Sequence, residues 1–328
     1  MLPSRRLSRT LFAPIIGSLT LGAMLIAQPM PASAQSTTPS GERAATKPFK
    51  PQLGQSGRDV IWLPTPNELI TRLLEIAKVT PADMVVDLGS GDGKIVIAAA
   101  RDFKANARGV EFDPRMVALS ETRAQAAGVA ERTAFVQADI FKHDFSDATV
   151  VAMYLLPELN LRLRPKLMAM QPGTRIVTHF FDMGRWAPDQ TIEAAARPGY
   201  LWVVPANAGG EWTATLQTEG QPKKLDFTIR QTFQALEVGT NTGKDADPVA
   251  GKVDGTRVAF DLRADPSDSS PSRVEALLEG DHMKGTVTRQ GKVTDFSAHR
   301  NGPAPQIDGA GAPTEDEMNA ARLALGSE

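Results

Sequence analysis

Three groups of residues stand at spacings that could do chemistry. The first is Asp87-x-Gly89-x-Gly91-x-Gly93, within Val85-Val86-Asp87-Leu88-Gly89-Ser90-Gly91-Asp92-Gly93-Lys94. An apolar run ends in an acid, glycines follow at alternate positions, and an apolar helical pattern begins at Ile95. That is a buried strand, a tight turn and a helix start, the arrangement that lets a nucleotide-like ligand approach backbone directly. Gly89 and Gly91 carry no Cβ, so the chain there can come close to a ligand and take up unusual dihedrals. The second group is two further acids behind apolar runs. Glu111 closes Ala107 to Phe112, 20 residues beyond Gly91, and Asp139 follows Thr133 to Gln137. The third group is Tyr154, His179, Phe180, Phe181, Asp182 and Trp186, which follow two later apolar runs. A dinucleotide fingerprint needs Gly or Ala where Lys94 stands, so the helix-packing glycine of an NAD site is missing.

These residues need elements to hold them. Thr65-Pro66-Asn67-Glu68 reads as a capping box with proline at the first helical position, and Leu69, Ile70, Leu73, Leu74 and Ala77 recur at helical spacing. Met84 to Leu88 reads as the first buried strand and Ile95 to Ala100 as the start of a helix. Ala107 to Phe112 reads as a second strand, with a helix opened by Asp113-Pro114 and running to about Ala126. Thr133 to Gln137, Ala148 to Tyr154 and Arg175 to Phe180 complete five strands. Strands alternating with helices predict a parallel, doubly wound, Rossmann-like sheet. Ligands bind at the carboxyl ends of such strands beside the switch in strand order, where Asp87, Glu111 and Asp139 each fall.

From about Asp59 to Pro205 the chain resembles class I S-adenosylmethionine-dependent methyltransferases, on Asp87-x-Gly89-x-Gly91 and the ordered acids Glu111 and Asp139. The resemblance implies S-adenosylmethionine as cofactor. Asp87 would accept from its amino group, Glu111 from the ribose hydroxyls and Asp139 from the adenine amine, with the Ile140 backbone facing the ring. Asp59-Val60-Ile61-Trp62-Leu63-Pro64-Thr65-Pro66 and Tyr154-Leu155-Leu156-Pro157-Glu158-Leu159-Asn160 are similar to the seven-strand protein-lysine methyltransferases of the ATP-synthase c-subunit and mitochondrial carriers. That likeness implies a protein partner methylated on lysine and sets Thr65 near the methionine carboxylate. Met153-Tyr154-Leu155-Leu156-Pro157 lacks the amide or acid that holds a planar amine, which disfavours base and glutamine methylation.

Methyl transfer depends mainly on positioning. A lysine nucleophile must also be neutral, and an apolar, aromatic channel lowers its pKa by desolvation. Tyr154, Phe180, Phe181 and Trp186 are candidates to line that channel, and Tyr154 and His179 are the candidate catalytic residues. Glu158 and Asn160 fit helix opening as well as catalysis. The competing reading is an exported, non-catalytic envelope binding or accessory protein that keeps the fold. A hydrolase has no support, since no Gly-x-Ser-x-Gly elbow is present.

Arg5, Arg6 and Arg9, an apolar stretch from Leu11 to about Ala27 and Ala32-Ser33-Ala34 read as a signal peptide over 1–34. The mature chain is then expected to be periplasmic or secreted, with no stable membrane span after cleavage. Residues 35–56 read as a linker and 57–207 as the methyltransferase domain. Residues 208–301 are expected to form an antiparallel β-barrel or sandwich, and 302–328 a flexible tail with one short helix near Glu315 to Leu325. The β region shows short alternating runs from Glu211 to Arg300, and Gly210-x-Trp212 with Ala298-x-Arg300 resembles lipocalin-like barrels. The chain of 328 residues has a net charge of −2, which gives no pointer to nucleic acid, and no cysteine. Its four histidines lack ligand spacing, so no metal site is expected.

Overall fold

The computed structural model describes residues 49–54, 62–216, 222–240, 248–263 and 271–324. The signal peptide, most of the linker and Asp59 to Ile61 lie outside them. Five parallel strands come first along the chain: β1 (Met84–Leu88), β2 (Asn106–Glu111), β3 (Thr133–Gln137), β4 (Val150–Met153) and β5 (Arg175–His179). A hairpin of β6 (Gln190–Ala194) and β7 (Arg197–Val203) completes a seven-stranded sheet in the order β3-β2-β1-β4-β5-β7-β6. β7 runs antiparallel between β5 and β6. The order reverses between β1 and β4, so the crevice for a ligand lies at their carboxyl ends.

Strand alternation sends side chains to two cores. Val85, Val150, Ala152 and Val177 pack under α1 (Asn67–Ile76) and α2 (Lys94–Asp102). Val86, Leu88, Val151, Met153 and Ile176 pack under α4 (Pro157–Met168) with Trp186 and Trp202. α3 (Pro114–Ala126) starts as its sequence implies, with the Asp113 side chain accepting from Arg115 N at 2.9 Å and Pro114 in the first turn. α1 does not. Its N-cap is Pro66, no side chain of the described residues caps it, and the Thr65 hydroxyl is engaged elsewhere.

Eight antiparallel strands follow: β8 (Gly210–Leu216), β9 (Lys223–Thr232), β10 (Ala235–Thr240), β11 (Val249–Asp254), β12 (Arg257–Leu262), β13 (Ser272–Glu279), β14 (His282–Arg289) and β15 (Lys292–Arg300). Each pairs with the next, and β15 pairs with β8 to close a barrel. The run from Leu225 to Leu236, which alternates as one strand, is two strands folded at Phe233-Gln234, where Phe233 takes a φ of 49°. Trp212, Phe227, Phe260 and Phe296 fill the interior, and the Arg300 guanidinium lies 4.6 Å from the Trp212 ring centroid. Two histidines far apart in sequence, His282 and His299, stand opposite each other on β14 and β15. Among the described residues no set of three acids or histidines could hold a metal.

The segment expected to be a free tail is instead packed. Ile307 joins the core that contains Trp186, and α5 (Glu315–Ala324) lies along α4. No helix of the described residues is long and apolar enough to cross a membrane.

Candidate functional site

The loop between β1 and α2 is built on backbone that side chains would block. Gly91 has a φ of 53°, and a Cβ there would stand 2.8 Å from the Trp62 indole nitrogen. Gly93 has a φ of 80°, and a Cβ would meet the Ser120 hydroxyl at 2.8 Å and the Phe135 ring at 3.0 Å. Gly93 therefore does the close helix packing that a dinucleotide site assigns one position later. Ser120 fixes the loop from α3 by donating to the Gly91 carbonyl at 3.0 Å.

Asp87, Gly89 and Gly91 line a narrow cleft of about 40 Å³ together with Thr65, Tyr154, Trp62, Asp92 and Lys94. Asp87 is 3% exposed. Burial, with Glu111 and Asp92 close by, pushes its carboxyl up to about 8. Glu111 reaches across from the end of β2. One of its oxygens accepts from Gly91 N at 2.9 Å, and the other from Phe112 N at 2.8 Å and Asp113 N at 2.9 Å. So Glu111 is more than an acid on a loop, since it pins the glycine turn to β2. Asp139 and Ile140 sit beyond the end of β3. The Asp139 side chain accepts from Phe141 N at 2.9 Å, and Ile140 packs against the Trp186 core. Neither lines the cleft in this structure.

At the other side, the ends of β4 and β5 bring Tyr154 and His179 together, with ring centroids 3.8 Å apart. His179 is 2% exposed, its Nδ1 is 3.1 Å from the Thr65 hydroxyl, and its Nε2 has no hydrogen-bond partner among the described residues. Burial, then the charge of Arg197, holds the imidazole down to about 4. The Thr65–His179 contact ties the Pro-Thr segment across the cleft to β5. Phe181 lies 6.4 Å from Tyr154 and 4.9 Å from Phe180, so three rings meet at one mouth. Trp186 is not among them. It is fully buried and stacked on Phe233 at 5.9 Å, so its place is in the core.

Asn160 is also fully buried, one turn into α4. Its amide donates to Phe181 O at 3.2 Å and Asp182 O at 3.0 Å, while the Thr178 hydroxyl donates to Phe181 O at 2.7 Å. Asn160 thus holds the loop that carries the aromatic mouth, in addition to its position near a helix start. Spacing along the chain gives Trp62 no site role and gives Asn160 no hint of this one. No local pattern marks either, because their partners lie far along the chain.

A family profile described as the ANTKMT methyltransferase domain matches residues 87–190. A protein-lysine N-methyltransferase from Saccharolobus islandicus (strain REY15A) is 43% identical over 136 residues, covering 41% of this chain and 84% of that protein. This chain belongs to the protein-lysine N-methyltransferase family. The ATP-synthase c-subunit lysine N-methyltransferase of mouse (Mus musculus) is 38% identical over 108 residues, which is 33% of this chain and 43% of its own length. A solved Salinibacter ruber chain, described as an RNA methyltransferase in complex with S-adenosyl-L-homocysteine, is 49% identical. It covers 44% of this chain and 94% of its own, with a TM-score of 0.43.

The methyltransferase takes S-adenosylmethionine, and its residues fit that group. A buried carboxyl raised toward neutrality beside two more acids suits a cation, which the methionine ammonium would supply. Beyond its three backbone bonds Glu111 keeps one lone pair, on the oxygen that accepts from Gly91 N, which a ribose hydroxyl could use. The cleft, at about 40 Å³, is smaller than the roughly 300 Å³ at the low end of ligand pockets, so its walls must part for entry.

Proposed function

We propose that this protein transfers a methyl group from S-adenosylmethionine to a lysine side chain of another protein. The observation that carries it is the aromatic mouth of Tyr154, Phe180 and Phe181, set beside a buried neutral histidine at the cofactor crevice. S-adenosylmethionine supplies an electrophilic methyl on a sulfonium. Asp87 would hold its ammonium and Glu111 its ribose, beside the side-chain-free backbone of Gly89 and Gly91, while Asp139 and Ile140, outside the cleft, would have to approach for an adenine contact. Thr65 closes the methionine end while held by His179.

The acceptor lysine must shed a proton before attack. Three rings strip water from its ammonium, which lowers its pKa. With the proton of His179 on Nδ1 and donated to Thr65, the buried Nε2 keeps an unused lone pair, which can orient the amine once the mouth opens to admit it. A base with a pKa of about 4 orients the amine and does not retain its proton, which leaves to solvent. The residues ahead of Gln35 read as an export signal, so the mature chain is expected outside the cytoplasm, where N-terminal mass spectrometry of the envelope fraction would find it starting near Gln35.

The test has two stages. Calorimetric titration with S-adenosylmethionine and S-adenosylhomocysteine should give saturable binding. Incubation of the protein and labelled cofactor with envelope proteins, and separately with total RNA, should then yield methyl-lysine by mass spectrometry. Binding with label only in RNA would overturn the acceptor, and no binding of either compound at millimolar concentration would favour the accessory reading.

A further inference from the structure

Arg164 joins three parts of the chain that are distant in sequence. It stands on α4, and its side chain is 1% exposed. One terminal nitrogen donates to Met183 O at 3.2 Å, in the loop that continues from Phe180 and Phe181. Both terminal nitrogens meet the Glu317 carboxylate on α5, at 2.6 and 3.1 Å. The guanidinium also lies 5.4 Å from the ring of Phe233, the residue at the β9–β10 turn of the barrel. Glu317 reaches Arg185 in the same loop at 3.3 Å and closes a capping box with Thr314, accepting from Thr314 N at 2.9 Å. Phe233 stacks on Trp186, two residues past Gly184, and Phe233 N donates to Asp308 O at 3.1 Å. The barrel interior is filled by aromatic side chains, so its contribution lies on its outside.

Resting on the lysine-methyltransferase reading, we propose that the barrel and α5 form a brace that holds the acceptor loop, residues 180–185, in place through Arg164. Glu317 and Phe233 are its positioning residues. A loop carrying aromatic walls on its own would sample many geometries, and a displacement of about 1 Å can lower a transfer rate by about 100-fold. The ion pair is buried and bidentate, so geometry is fixed more firmly than an exposed pair would allow. Arg164 holds the Glu317 carboxyl down to about 2, so the brace stays ionised at any working pH.

Glu317→Gln and Phe233→Leu, each in the full chain, test this. Amide exchange at residues 180–185 should accelerate at least tenfold in both, with exchange in β1, β4 and the barrel strands unchanged. Affinity for S-adenosylhomocysteine should stay within about twofold of wild type. With an acceptor protein found above, KM should rise while cofactor KM does not. If Glu317→Gln fails to fold, Phe233→Leu decides alone. Loop exchange equal to wild type in a folded variant overturns the brace, as does acceleration spread evenly over the whole sheet. Exchange needs no acceptor, so failure of wild type to methylate any lysine would sink the acceptor reading and leave the brace to the exchange result.

Discussion

The sheet and the barrel differ in what lies buried beside their apolar residues. At the carboxyl ends of the sheet strands, Asp87, Ser90, Asp92, Thr178 and His179 are buried, joined by Asn160 from α4. The barrel buries few polar groups, and Gln231 and Arg300 both serve the junction. Gln231 bonds Ala206 O at 3.0 Å and Ala208 N at 2.7 Å, and Arg300 donates to Asn207 O at 2.6 Å. A closed antiparallel barrel pairs its strands with one another and leaves no open edge. A doubly wound sheet leaves loops and a crevice where strand order reverses, and polar groups collect there. Chemistry therefore concentrates in the first region and rigidity in the second. The two are still joined, because Phe233 and Ile307 belong to the core of the sheet.

Cutting the chain after Pro205 should have the largest effect. It uncovers Trp186 and Trp202 by removing Phe233, Ile307 and α5, so the fragment is expected to aggregate in size-exclusion chromatography. A soluble fragment that binds cofactor would break the link between the regions. Next is Phe260→Ala, in the barrel interior. It should cost about 3–5 kcal/mol in chemical denaturation and leave cofactor affinity within about twofold.

Asp87→Asn should do the reverse. Cofactor affinity should fall at least about 100-fold, roughly 2.7 kcal/mol. The free variant should nonetheless melt higher than wild type. The native carboxyl keeps its proton up to about 8, whereas the unfolded one releases it near 3.8, so the stability it contributes is lost as pH rises through that window. The gap in Tm should widen with pH over the same range, and a constant gap would argue against a buried neutral carboxyl. Wild-type affinity should rise with pH toward about 8, since the ionised form binds the ammonium.

Glu111→Gln keeps the shape and one acceptor oxygen, and should weaken cofactor binding about tenfold. Glu111→Ala would also free Gly91 N, so it would loosen the turn as well as the ligand. The smallest effect on stability is expected from His179→Gln. The native imidazole stays neutral down to about 4, against 6.5 in the unfolded chain, so wild type loses stability as pH falls between those values. The variant should lack that loss, seen as a few degrees in Tm between melts at neutral and acid pH.

Much of this was legible along the chain because the signals are local. The Asp87 to Gly93 turn, the acid ending β2 and Asp113-Pro114 each combine a short-range backbone demand with a residue that meets it. A closing antiparallel pair with Tyr200 to Val204 is expected of such a sheet, but its partner is β6 and not Glu211 to Leu216, and β6 is hidden because the turn is Ala195-Ala196, at positive φ of 51° and 54°, where Asn-Gly would have announced it. The fold at Phe233 was hidden likewise, because an aromatic residue in an alternating run reads as continued strand. Thr65 looked like a helix cap, since Thr-Pro-Asn-Glu matches one locally, but a histidine 114 residues away takes its hydroxyl.

The class of sheet, the glycine turn and the acids closing β1 and β2 follow from rules that act within a few residues, so the chain read alone carries them. Packing in three dimensions is what puts Trp186 in the core, ties Asn160 to the aromatic loop after β5, and lets Arg164 touch that loop, α5 and the barrel turn at Phe233. Those roles depend on which surfaces bury one another across as many as 153 residues, and no local pattern encodes such a pairing.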